Sequence, residues 1–295
     1  MTARIDSPSN PRIAAAVKAI ASGEMMLLEG TRMIEEALEA GVRVDEVFLH
    51  RSPEQENQGN EEEDFLRRVK GESGSRATTS STRVTEVAAR VLRKLSDLPS
   101  TRGAVAIAAP PHRTLASLSA LLPSKRSSLS DLSPSKESLS SSSLLFLLLD
   151  DVQDPANVGA ILRSGEAFGA AGAVLTAGCA WPFSPRALRT SAGSVLRLPV
   201  AVRVAAAEAV AWVRRHGIAL AGAAAHGGTA PDALGGVRPL ALVIGSEGHG
   251  ISAEIAGSLD HRVTLPLAGR VDSLNAAVAA GVLLHILTRR PAPAR

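Results

Sequence analysis

At 295 residues, 45% of them hydrophobic, the chain is long enough for two domains with buried cores, so it is globular. Aromatic residues make up only 2% and Tyr is absent, which excludes a row of stacking aromatics for single-stranded nucleic acid and leaves the Phe and Trp residues as core fillers. The net charge of +3 points to an anionic partner without identifying one, and a single cysteine, Cys179, excludes an internal disulfide framework or a paired-cysteine metal site.

In chain order, Arg12 to Ser22 reads as a short helix after a Ser/Pro/Asn start, and Met26 to Leu28 as a strand. Thr31 to Ala40 is an amphipathic helix, expected to be capped at Thr31 and stopped by Gly41. Val44 to His50 alternates as a strand does. Ser52 to Gly59 and Gly71 to Ser81 are loop-like, with a helix from Glu61 to Lys70 between them. Thr85 to Leu92 is expected to be helical and Ala104 to Ala108 a strand, which completes a small α/β unit over residues 1–109. Residues 110–143 are Ser/Pro-rich and read as a linker, with a short helix at Leu115 to Leu122.

A second unit, residues 144–295, opens on the apolar strand Leu144 to Leu149. Helices are expected at Gly159 to Phe168, Arg186 to Ala192, Ala205 to His216 and Asn275 to Arg289. Strands fall at Ala173 to Leu175, around Val200 and Val202, and at Ile218 to Ala223, Leu240 to Ile244 and Arg262 to Leu265. This alternation implies a mostly parallel sheet. From Leu144 onward there are 13 Arg, no Lys and 10 acidic residues, whereas the first 143 residues balance at 19 basic and 19 acidic. The arginine excess suits phosphate contacts, or it reflects codon bias. Met1 to Gly23 has no continuous apolar core and Leu144 to Leu149 is far too short for a membrane span, so a soluble, cytoplasmic protein with no membrane contact is expected.

Three polar segments stand out. Asn157 and Arg163 lie six positions apart at a helix start. Gly245-Ser246-Glu247-Gly248-His249-Gly250 follows a buried strand, and Leu265 to Asn275 ends in Ser273-Leu274-Asn275 before the last helix. The glycine turn is neither a P-loop, since no Gly-Lys-Ser/Thr follows, nor a Rossmann fingerprint, which belongs near the start of its unit. Each polar residue also has a structural reading. Asn157 suits helix capping, Ser273 and Asn275 suit the cap of the last helix, and Glu247 suits a surface carboxylate. His249 reads as exposed, and His226, His261 and His285 show no metal spacing.

In their order and content these segments resemble the SpoU (TrmH-like) branch of the SPOUT RNA ribose methyltransferases, over about residues 144–290. Residues 5–109, with Leu27-Leu28-Glu29-Gly30 and the following helix and strand, resemble the L30e-like substrate-binding domain of such enzymes. The resemblance implies an α/β domain with a deep trefoil knot. It also implies S-adenosyl-L-methionine as cofactor, held by backbone groups at Gly245, Leu265 and Leu274, and a homodimer with its sites near the interface. Arg163 takes the family's catalytic position, with Asn157, Glu247, Ser273 and Asn275 around it and no metal. The product would be a 2′-O-methylated ribose in RNA, with large-subunit ribosomal RNA favoured by the two-domain layout. Transfer RNA is the alternative substrate, a non-catalytic ribosome-assembly factor the alternative class, and a nucleotide-dependent oxidoreductase fits the α/β pattern but lacks its fingerprint.

Overall fold

The computed structural model describes residues 4–50, 59–71, 82–96, 103–122 and 144–289. The loops expected around residues 52–58 and 72–81 and the most Ser-rich part of the linker, 123–143, lie outside these residues. The chain divides into two compact units, one of Met1–Pro111 with Trp181–Arg197, the other of His112–Ala180 with Leu198–Arg295.

The first unit runs α1 Pro11–Ser22, β1 Met26–Glu29, α2 Thr31–Glu39, β2 Val44–Leu49, α3 Gly59–Lys70, β3 Arg83–Glu86, α4 Ala89–Leu95 and β4 Ala104–Ala108. Its four-stranded sheet has the order β1-β4-β2-β3 and is antiparallel except between β2 and β3. Ile13, Leu27, Phe48, Val91 and Val105 form its core. Two sequence expectations change here. Gly30, not Thr31, is the N-cap of α2, at φ 85°, a backbone conformation that glycine adopts without steric cost. Thr85 and Glu86 are strand rather than helix. Thr85 is fully buried beside β2, its Oγ1 donating to the Glu46 carboxylate at 2.5 Å, and the helix begins only at Ala89.

In the second unit α5, Leu115–Ser119, packs Leu118 into the core. Then follow β5 Leu145–Asp150, α6 Pro155–Ala167 and β6 Gly172–Thr176. The chain next forms α7 Pro185–Ser191 and α8 Ser194–Arg197, which cluster with the first unit, where Arg189 pairs with the Glu29 carboxylate. It returns through β7 Val200–Val204, α9 Ala206–Arg215, β8 Ala219–Ala223, β9 Leu240–Gly245, α10 Ala253–Ala256, β10 His261–Val263 and α11 Ala276–Thr288. All six strands are parallel, in the order β10-β8-β9-β5-β6-β7. Every residue of β5 is buried, as expected for a central strand covered on both faces. Phe146 on β5 meets Trp212 of α9 edge to face, ring centroids 5.4 Å apart. After β5 the chain builds outward through β6 and β7, then crosses to the other side for β8, β9 and β10. The order therefore reverses between β5 and β9, and crevices for ligands form at the carboxyl ends of strands at such a point.

Candidate active site

Both strands at the reversal end in polar groups. Asp150 closes β5 and is only 3% exposed. Its Oδ2 accepts the Ser252 backbone N–H at 2.7 Å and its Oδ1 the Thr176 hydroxyl at 3.3 Å. Gly245 closes β9, and the next residues fold back on themselves. Ser246 N–H donates to the Gly250 carbonyl and Gly250 N–H to the Ser246 carbonyl, both at 3.0 Å. This closure needs glycine at 245, because a Cβ there would lie 2.3 Å from the Gly250 carbonyl carbon. Asp150 therefore tethers the far side of the loop that Gly245 opens.

α6 starts at Pro155, four residues earlier than its apolar pattern suggests, because Asp154 caps it by accepting the Ala156 N–H at 2.9 Å. Asn157 is thus inside the helix and free of capping duty. Its Nδ2 donates to Glu247 Oε1 in the glycine loop. Its Oδ1 accepts from Asn275 Nδ2 at 3.0 Å. Asn275 is the N-cap of α11, its own Oδ1 accepting from Ala277 and Val278 N–H at 3.0 and 3.3 Å. Of the two residues that suit this cap, Ser273 and Asn275, it is Asn275 that carries it. One hydrogen-bonded chain, Asn275 to Asn157 to Glu247, joins the three polar segments.

A cleft of about 530 Å³ opens at the ends of β8, β9 and β10. Gly245, Glu247, Leu265, Ser273, Leu274 and Asn275 all line it, as do Ile244, Val263 and Leu283 on the apolar side. Sequence reasoning missed the contribution of Ala223 to His226, which follow β8. Their only signal was the position after a strand on the same edge as β9. Asn157 and Arg163 do not line the cleft. Arg163 is exposed on α6 and makes no ion pair with another described residue. His249 is exposed, with its backbone N–H on Ser246 Oγ at 3.2 Å. Among the described residues no group of three or more His, Cys, Asp or Glu is placed to hold a metal ion, and no helix is long and apolar enough to cross a membrane. The apolar walls suit a flat heteroaromatic body, and the Glu247 and Asp272 carboxylates suit a cationic group beside it.

Comparison with known proteins assigns families to two stretches of the chain. Residues 144–285 match the SpoU rRNA Methylase family and residues 21–106 the MRM3-like substrate binding domain. A tRNA/rRNA methyltransferase of Mycobacterium leprae, described as uncharacterized, is 41% identical over 146 residues, which are 50% of this chain and 47% of that protein. The chain spans about half the length of the curated relatives it matches. Among solved structures, the SpoU methyltransferase AviRb from Streptomyces viridochromogenes in complex with the cofactor AdoMet is 26% identical, with a TM-score of 0.75 over 95% of this chain and 97% of that one. A structure described as an RNA 2′-O ribose methyltransferase is 28% identical, with a TM-score of 0.68 over 97% of this chain and 98% of that one. The two domains thus have separate identities: residues 144–285 belong to the SpoU methylase family, and residues 21–106 are an MRM3-like substrate-binding domain.

Proposed function

We propose that this chain transfers a methyl group from S-adenosylmethionine to the ribose 2′-oxygen of an RNA, with large-subunit ribosomal RNA as the substrate. The observation that carries the reading is the convergence of three distant segments, through Asn275, Asn157 and Glu247, beside one cleft at the ends of β8, β9 and β10. The AdoMet complex of AviRb and the 2′-O activity in the description of the second structure support it. A substrate-binding domain ahead of the methylase domain supports a large structured RNA.

When bound, S-adenosylmethionine supplies an electrophilic methyl on a sulfonium. Backbone groups at Gly245, Leu265 and Leu274 hold the adenosyl part against the apolar wall, and the closed loop keeps that wall in place. The hydrogen-bonded chain fixes the Glu247 carboxylate, and Ser273 contacts the substrate. The ribose 2′-oxygen would gain the methyl as the methyl–sulfur bond breaks, the sulfonium leaving as a neutral thioether, and would lose its own proton; alignment supplies much of the rate. A guanidinium stays protonated in proteins, so Arg163 acts by clamping the neighbouring phosphate and the hydroxyl, and the phosphate helps take the proton.

The same reading includes the family's trefoil knot, a cytoplasmic location and a homodimer. Val278 and Val282, one turn apart on α11 and 53% and 40% exposed, give an apolar face for a second copy. α11 packs on α6, so a copy seated there lies beside the helix that carries Arg163. The test is transfer of labelled methyl from S-adenosylmethionine to unmodified ribosomal RNA and, separately, to unmodified tRNA. Label in ribosomal RNA alone is expected. Label in tRNA alone would overturn the substrate, and no label together with no cofactor binding would favour a non-catalytic RNA-binding protein.

A further inference from the structure

Beyond β8 the chain is pinned to β10 on both sides of His226. Ala224 N–H donates to the Val263 carbonyl at 2.9 Å. Past the histidine, Gly228 N–H donates to Thr264 Oγ1 at 2.9 Å and Thr229 N–H to the Arg262 carbonyl at 2.9 Å. Gly228 is pressed so closely on β10 that a Cβ there would lie 2.8 Å from the Thr264 nitrogen. His226 is therefore carried on a tethered segment that lines the cleft, with its side chain exposed.

The charges around it are one-sided. Among the described residues that line the cleft, Glu247 and Asp272 are carboxylates, and His226 is the only side chain able to carry a positive charge. Asn275 also lines the cleft, but it is neutral, and one of its two Nδ2 hydrogens is committed to Asn157. S-adenosylmethionine has two cationic groups, its sulfonium and ammonium, and one anionic group, the methionyl carboxylate. An imidazole offers an N–H in either protonation state and a full charge when protonated. Placing the carboxylate near Glu247 or Asp272 would set like charges together in a partly enclosed cleft.

We propose that His226 binds the methionyl carboxylate of the cofactor and makes the cleft selective for adenosyl thioethers that carry an amino-acid tail. The inference rests on the reading of the cleft as the S-adenosylmethionine site. Two probes separate the ideas: S-adenosylhomocysteine, which has the tail, and 5′-methylthioadenosine, which lacks it. Calorimetric titration of the full chain is expected to show wild type binding the first more tightly than the second. His226→Ala is expected to weaken S-adenosylhomocysteine about tenfold, the scale of a hydrogen bond to a charged group, and to leave 5′-methylthioadenosine unchanged. His226→Gln, which keeps an N–H without the charge, is expected to fall between. Equal losses for both probes, or no loss for either, would overturn the proposal while leaving the cofactor site intact. Unchanged S-adenosylhomocysteine binding with weakened RNA binding would overturn it in favour of a phosphate contact. If folded wild type binds neither probe, the proposal and the reading of the cleft fall together.

Discussion

Asn275 donates its side-chain amide to the Asn157 oxygen at 3.0 Å across 118 residues of sequence, while its own oxygen caps α11. The cap fixes which way the Asn275 amide faces, because only its oxygen can accept the Ala277 and Val278 N–H groups. Its nitrogen must then point at Asn157, whose oxygen accepts and whose nitrogen is left to donate to Glu247. The start of the last helix thus sets the orientation of a carboxylate in a loop far from it in sequence.

This relay separates two substitutions at one position. Asn275→Asp keeps a good N-cap but loses the donor. The new acid can be satisfied only if the Asn157 amide turns over, which aims its oxygen at the Glu247 carboxylate. Stability within about 0.5 kcal/mol of wild type is expected by urea denaturation, with methyl transfer reduced roughly tenfold or more. Asn275→Ala is expected to lose activity and about 1 kcal/mol of stability as well. Full activity in Asn275→Asp would show that the relay has no role.

Gly245→Ala places a methyl group where the Gly250 backbone already stands. Overpacking of this kind costs about 1–3 kcal/mol, and here the loop must open to relieve it. S-adenosylhomocysteine binding is expected to weaken roughly tenfold or more, on that scale. Gly248→Ala lies in the same loop with nothing within 4 Å of its added methyl, and it is expected to bind as wild type does. Equal binding by both variants would contradict the account of the loop.

How far these features were legible before the fold was known depends on where the determining partner lies. β5 and β9 are continuous apolar runs buried by the sheet itself, so their strands follow from sequence alone. Thr85 misleads because Val84, Val87 and Val91 fall at helical spacing. What makes the segment a strand is pairing with Phe48, 37 residues earlier, and the burial of Thr85 on Glu46. The polar motifs marked Asn157, Glu247 and Asn275 individually, but their hydrogen bonds span 90 and 118 residues. Asp150 and His226 carried no motif, and only the common edge of β5, β8 and β9 shows what they face.

Arg163→Lys keeps the charge and removes the planar fork that can grip a phosphate and a hydroxyl together. Arg163 is exposed and outside the cleft, so S-adenosylhomocysteine binding is expected to stay at the wild-type level. The single-turnover methyl-transfer rate is expected to fall roughly tenfold or more, since a charged bidentate contact is reduced to a point contact. A lysine variant that remains nearly fully active would sink the clamping role.

Asp260 anchors the β10 side of the sheet. Its Oδ1 and Oδ2 accept from Arg214 at 2.8 and 3.0 Å, and Oδ2 also accepts the Leu220 N–H at 2.8 Å. Burial pushes its carboxyl pKa up, but the Leu220 amide and Arg214 outweigh that, and the net shift is downward. A carboxylate whose pKa is depressed by folding stabilises the fold above its unfolded pKa, and the gain is lost as pH falls through the folded one. Asp260→Asn is therefore expected to cost about 1 kcal/mol at pH 7. The gap from wild type should close progressively below the ordinary carboxylate range, as read by urea denaturation across pH. A gap that is constant with pH would mean that the charge contributes nothing.

The central claim is methylation of a ribose 2′-oxygen, and alkaline hydrolysis of the labelled RNA tests it most directly. Alkali cleaves RNA through the free 2′-hydroxyl, so a 2′-O-methyl group protects the adjoining linkage. Ribosomal RNA labelled by this protein from S-adenosylmethionine is predicted to give the label in alkali-resistant dinucleotides. Label recovered wholly in mononucleotides would place the methyl on a base and contradict the account.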